Sequence, residues 1–144
     1  DIWESDLENE KCAIISTKAY NMVNHADNLD ILGITHGVRS TSYDKAYCFN
    51  ASKIHKINYG AGCHSCNPIL KAKHFLNYLY TWKKYKAYHY KYINIDFMIE
   101  RHRVYGSRLS EENLKKDWGT HYLYSPEQIR NEFLTARKNA IKLI

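Results

Sequence analysis

Cys63-His64-Ser65-Cys66 gathers two thiols and an imidazole into four residues, the densest reactive grouping in the chain. Cys12 and Cys48 bring the cysteine count to four, and the set admits three chemistries. As a disulfide framework, Cys63 and Cys66 pair outside their own loop, for example with Cys12 and Cys48, each bridge stabilising a small domain by roughly 2–4 kcal/mol. As a zinc site, Cys48, Cys63 and Cys66 supply thiolates and one of His36, His55, His64 or His74 completes a tetrahedron. As a redox dithiol, the pair needs a helix N-terminus behind it to lower a thiol pKa. The even count, a first residue Asp1 rather than Met, and the sequon Asn50-Ala51-Ser52 just after Cys48 favour the disulfides. With them comes the expectation of a secreted protein glycosylated at Asn50.

The eight histidines offer a second chemistry, phosphodiester cleavage, in which one imidazole takes the 2′-hydroxyl proton and another protonates the leaving oxygen. A structural role is the commoner one for any single histidine. Ile34-Thr35-His36-Gly37 and Trp118-Gly119-Thr120-His121 resemble the two histidine motifs of the T2 family of acid ribonucleases. That resemblance implies His36 and His121 as the proton-transfer pair. The tryptophan after the first motif and the Glu-x-x-Lys-His-Gly core of the second are absent.

Gly37-Val38-Arg39-Ser40-Thr41-Ser42, followed by Ala46 and Phe49, resembles the Ser-Thr-Ser strand of ADP-ribosyltransferase toxins, whose hydroxyls position the nicotinamide ribose. The resemblance implies a site built from Arg39 to Ser42 with Glu100. No arginine precedes Arg39, and Met98 stands where that family's first acidic or amide residue belongs. Neither resemblance supplies a complete catalytic set.

A third grouping is compositional. Tyr78, Tyr80, Trp82, Tyr85, Tyr88, Tyr90 and Tyr92 interleave with Lys83, Lys84, Lys86 and Lys91. Aromatic faces stack bases while ammonium groups meet phosphates, but the same residues also make ordinary protein interfaces. The contact surface is assigned to Tyr80, Trp82, Lys83, Lys84, Tyr85, Lys86, Tyr88 and Lys91. The leading expectation is a secreted, disulfide-stabilised interaction protein of the effector or toxin type, with a protein partner. The alternatives are a small toxin enzyme of the ribonuclease or ADP-ribosyltransferase kind, and a cytoplasmic or nuclear zinc-containing protein that binds RNA or another polyanion.

These groups need a scaffold, and 144 residues fit one domain over 1–144. The net charge is +6, spread unevenly: residues 1–30 hold seven acids against Lys11 and Lys18, whereas 70–105 hold eight bases against Asp96 and Glu100. The basic middle is where an anionic partner belongs. No apolar run approaches the roughly 18–20 residues of a membrane-spanning helix.

The expected fold is α+β. Ser5-Asp6-Leu7-Glu8 has the form of a capping box and predicts a first helix from about Asp6, although Cys12 to Thr17 also suits a strand. Ile69, Ala72, Leu76 and Leu79 predict a central helix over about 69–84. Ile93, Ile95, Phe97 and Ile99 alternate with polar residues and predict a half-buried strand of a small antiparallel sheet over about 90–104. Ser110-Glu111-Glu112-Asn113 caps a short helix ending before Gly119. Ser125-Pro126-Glu127-Gln128 starts a C-terminal helix with Ile129, Phe133, Ala136, Ala140 and Ile144 as its buried stripe.

Overall fold

A computed structural model describes residues 12–26, 30–60, 63, 65–71 and 79–144; for Cys12, Tyr47 and residues 79–84 it describes the backbone alone. The helix expected from about Asp6 lies outside these residues. One compact unit comprises Asp1–Tyr20 and Arg39–His89, the other Asn21–Val38 and Tyr90–Ile144. Two long strands, β1 (Cys12–Val23) and β6 (Leu79–Tyr92), contribute residues to both, and β6 pairs with β1.

In the first unit, β1 is buried along its length, with Ala13, Ile14, Ile15 and Ala19 almost wholly removed from solvent. Ser16, Thr17 and Asn21 are buried with them, so the apolar run is interrupted by polar groups within the core. Strand β2 spans His36–Arg39 and β3 spans Ala46–Phe49. β3 runs antiparallel to β1, pairing Ile14 with Phe49 and Ile15 with Cys48, with an irregularity before Ser16. Between β2 and β3 the chain stays tied to β1: Ala19 O accepts the Ser40 N–H at 3.0 Å and Thr17 N–H donates to Lys45 O at 3.0 Å. A short ladder of β4 (Ile54–Lys56) and β5 (Ile69–Leu70) sits in the same unit. Ala13, Ile14, Ala46 and Ile54 form its core, with Ile57, Cys66 and Leu70 packed alongside.

In the second unit, β2 pairs antiparallel with β7 (Ile141–Lys142). Three helices follow β6 in the chain: α1 (Ile95–Gly106), α2 (Glu111–Lys115) and α3 (Pro126–Asn139). Each start is capped. The Asn94 side chain accepts the Phe97 N–H, Ser110 accepts the Asn113 N–H, and Ser125 with Gln128 forms a complete capping box. Val23, Tyr92, Met98, Ile129, Phe133 and Ala136 make the core. Burying a side chain such as Phe133, 2% exposed, contributes roughly 2–3 kcal/mol.

The α+β class and the α2 and α3 starts are as the sequence predicts; two elements are not. The central helix over 69–84 is replaced by strand at Ile69–Leu70 and from Leu79 onward. Tyrosine and β-branched residues favour a pleated, half-buried surface, and in Tyr80 to Tyr92 that preference outweighs the three- and four-residue spacing seen upstream. The strand over 90–104 survives only to Tyr92, because Ile95–Gly106 is helical. Ile95 and Ile99 are spaced for a helix as well as for a strand, and Met98 and His102 are the buried pair, while Phe97 is left exposed. On α3, Ile129, Phe133 and Ala136 are buried as expected, but Ile144 lies beyond the helix and is exposed.

Candidate nucleic-acid interface

Cys48 is half-buried and Cys63 exposed, both as thiols, and the Cys12 side chain lies outside the described ones. Tyr59, bridged to Cys66 through the backbone, donates its hydroxyl to Ala46 O at 3.1 Å. Burial raises the pKa of that phenol, and Cys63, Cys66 and Cys48 add to the rise. Even so, among the described residues no three His, Cys, Asp or Glu side chains converge as metal ligands would. The zinc set of Cys48, Cys63 and Cys66 is therefore not assembled; His64 and His74 fall outside the described residues. Asn50, the residue of the sequon, is 5% exposed, and its Oδ1 accepts the Ser52 N–H at 2.9 Å.

The Arg39 to Ser42 segment does not form a hydroxyl-bearing strand. Thr41–Tyr43 is a single 3-10 turn, and the Arg39 guanidinium is held by Asp44 and by Ala19 O. Glu100 belongs to the other unit, on the exposed side of α1, where Arg103 grips it at 2.6 Å and lowers its pKa.

Nor do His36 and His121 face each other as a proton-transfer pair. His36 stacks near His25, ring centroids 4.8 Å apart, whereas His121 neighbours His102 at 6.1 Å. His102 is 3% exposed and its Nδ1 has no hydrogen-bond partner among the described residues. Burial lowers the pKa of both His102 and His121, and Lys91 pushes each further down while Glu132 opposes. Both rings are therefore neutral near pH 7.

On β6, Lys86 and Tyr88 are exposed, while Tyr85 packs toward Ile15 and His89 stacks on Tyr43 at 4.0 Å. Lys91 turns away from any partner: its Nζ donates to Glu132 at 2.7 Å, and the Tyr92 hydroxyl donates to the same oxygen at 2.8 Å. Burial is the largest influence and works against the Lys91 charge, but the hydrogen bonds and attraction of Glu132 and Tyr92 together outweigh it and the pKa rises. The side chains of Tyr80, Trp82, Lys83 and Lys84 lie outside the described ones.

A surface that sequence reading passed over sits at the C-terminal end of α1. Gly106 lets that end approach the 3-10 turn Thr120–Leu123, since a Cβ there would stand 2.8 Å from Tyr122 O. The contact brings Tyr105 within 5.0 Å of Tyr122, and Tyr122 within 4.1 Å of His121. Tyr105, Tyr124 and Trp118 are exposed, Trp118 by 55%. Two of these rings carry a cation: Arg101 lies over Tyr105 at 5.4 Å and Lys116 over Trp118 at 4.8 Å. The residues are scattered over twenty positions, so no local run of sequence announces them.

Comparison with protein-family models, curated proteins and solved structures finds no match to this chain.

Proposed function

We propose that this chain is an interaction protein whose partner is single-stranded nucleic acid, taken by aromatic and basic side chains. The observation that carries the reading is that exposed Tyr105, at the end of α1, and exposed Trp118 each hold a cation over the ring, with Tyr124 also exposed in the same unit. Rings stack bases of any identity at about 1–3 kcal/mol per base, and cations next to them meet the phosphates. The net charge of +6 supplies long-range attraction, and Lys86 and Tyr88 on β6 add an exposed base and an exposed ring in the other unit. No long apolar helix spans a membrane among the described residues.

This reading keeps the basic, tyrosine-rich contact surface expected from the sequence and changes the partner from protein to nucleic acid. Fluorescence anisotropy with a labelled oligouridine, at about 50 and 200 mM salt, tests the proposal. Expected are binding that weakens steeply with salt, and a loss of about tenfold for Tyr105→Ala or Trp118→Ala. Lys86→Glu should flatten the salt slope by about one or more without changing base preference. No binding at the lower salt, or binding indifferent to both aromatic substitutions, refutes it.

A further inference from the structure

The second unit also holds a small cavity, about 190 Å³, lined by Ala26, Ile93 to Asp96, Phe133 and two arginines, Arg130 and Arg137. The arginines stand seven residues apart on α3, two turns along the same face, so both side chains line one hollow. Arg137 is fixed: its Nε donates to Asn24 O at 3.1 Å, its Nη2 to Ala26 O at 3.4 Å, and it lies 5.0 Å over the Phe133 ring. Arg130 is half exposed and has, among the described residues, only Asp96, 3.9 Å away, as its ion partner.

His25 neighbours Arg137: its ring lies 4.8 Å from that of His36, and burial, His36 and Arg137 together hold it below its ordinary pKa. Against the two arginines, Asp96 is the one carboxylate among the lining residues. Gathering like charges around a hollow costs free energy, and an anion seated in it offsets that cost. Guanidinium forks match the tetrahedral oxygens of a phosphoryl group better than a lysine ammonium would.

We propose that this cavity binds a phosphoryl group, carried by a small ligand or present as free phosphate, with Arg130 as the recruiting side chain and Arg137 as a prepositioned one. The site is separate from the aromatic surface at the other end of α1 and does not rest on the function proposed above. Nuclear magnetic resonance titrations of the full chain with inorganic phosphate, adenosine monophosphate and adenosine would test it, with Arg130→Ala and Trp118→Ala run in parallel.

Saturable shifts at the Ile95 and Asp96 amides and the Arg137 Nε–H are expected with phosphate and with the monophosphate. Both affinities should drop about tenfold in Arg130→Ala and stay unchanged in Trp118→Ala. Tighter binding of the monophosphate than of phosphate would mean a nucleotide-type ligand; equal binding would mean free phosphate suffices. Two results would overturn the proposal. One is the absence of saturable shifts at Ile95 and Asp96; the other is shifts that persist at the same affinity in Arg130→Ala or that adenosine alone reproduces.

Discussion

Replacing Glu132 by alanine removes one carboxylate oxygen that two donors share, the Lys91 ammonium at 2.7 Å and the Tyr92 hydroxyl at 2.8 Å. The Tyr92 residue is 6% exposed, so its hydroxyl is left dry without an acceptor, at a cost of about 1–3 kcal/mol. Lys91 and Glu132 keep 19% and 28% of their side chains in solvent, so the ion pair itself is partly screened and adds about 1 kcal/mol. The expected loss for Glu132→Ala is therefore about 3 kcal/mol, or about 10 °C in Tm for a domain of this size. Glu132→Gln keeps an acceptor and loses only charge, so it should cost about 1 kcal/mol. Placed in a Tyr92→Phe background, Glu132→Ala should lose about 1–2 kcal/mol less than in the parent chain, because no hydroxyl is stranded. Urea unfolding at constant m-value reads all three. If alanine and glutamine cost the same, or alanine costs under about 0.5 kcal/mol, the shared-acceptor account is wrong.

Acid should weaken the protein early. His102 and His121 have folded pKa values below 6.5, so below that pH the unfolded chain takes up protons that the folded chain refuses, and stability falls. Glu132, lowered from 4.5 by its hydrogen bonds, extends the loss below pH 4.5; its contribution is whole above that value. Urea midpoints should decline from about pH 6.5 downward, and His121→Gln should flatten the upper part of the curve; an unchanged profile would count against it. Gly106→Ala ought to destabilise by about 1–3 kcal/mol, although alanine is the better helix former, because its Cβ would press on Tyr122 O at 2.8 Å. A stabilised variant in thermal melts would mean that the α1 end has room to spare.

Local signals were legible where one short-range interaction dominates. The Ser125 to Gln128 capping box and the Ser110 cap are written in adjacent residues, and both helices begin there. The segments around Ile69 and Ile95 were misread because their apolar spacing fits two periods, and the choice is made by neighbours far away in sequence. Met98 and His102 are buried against residues from α3 and the 120–124 region, which no window of eleven or so residues contains. The candidate surface was hidden for the same reason. Tyr105, Trp118 and Tyr124 are unremarkable one by one, and only the Gly106 approach to Tyr122 makes neighbours of Tyr105 and the turn. The histidines show the opposite failure, since two motifs suggested a pair that the fold assigns to separate partners.

Because the first unit draws on Asp1–Tyr20 and Arg39–His89 and the second on Asn21–Val38 and Tyr90–Ile144, neither is a continuous stretch of chain. Emerging from a ribosome, the first unit has all its residues once His89 is out, while Asn21–Val38 must wait for the last helix to be made. During that interval Met22 and Val23, which end up fully buried, have no helices to cover them. The order of synthesis thus imposes a delay in which the apolar end of β1 is open to other contacts, and a chain stalled before α3 would carry that exposed end permanently.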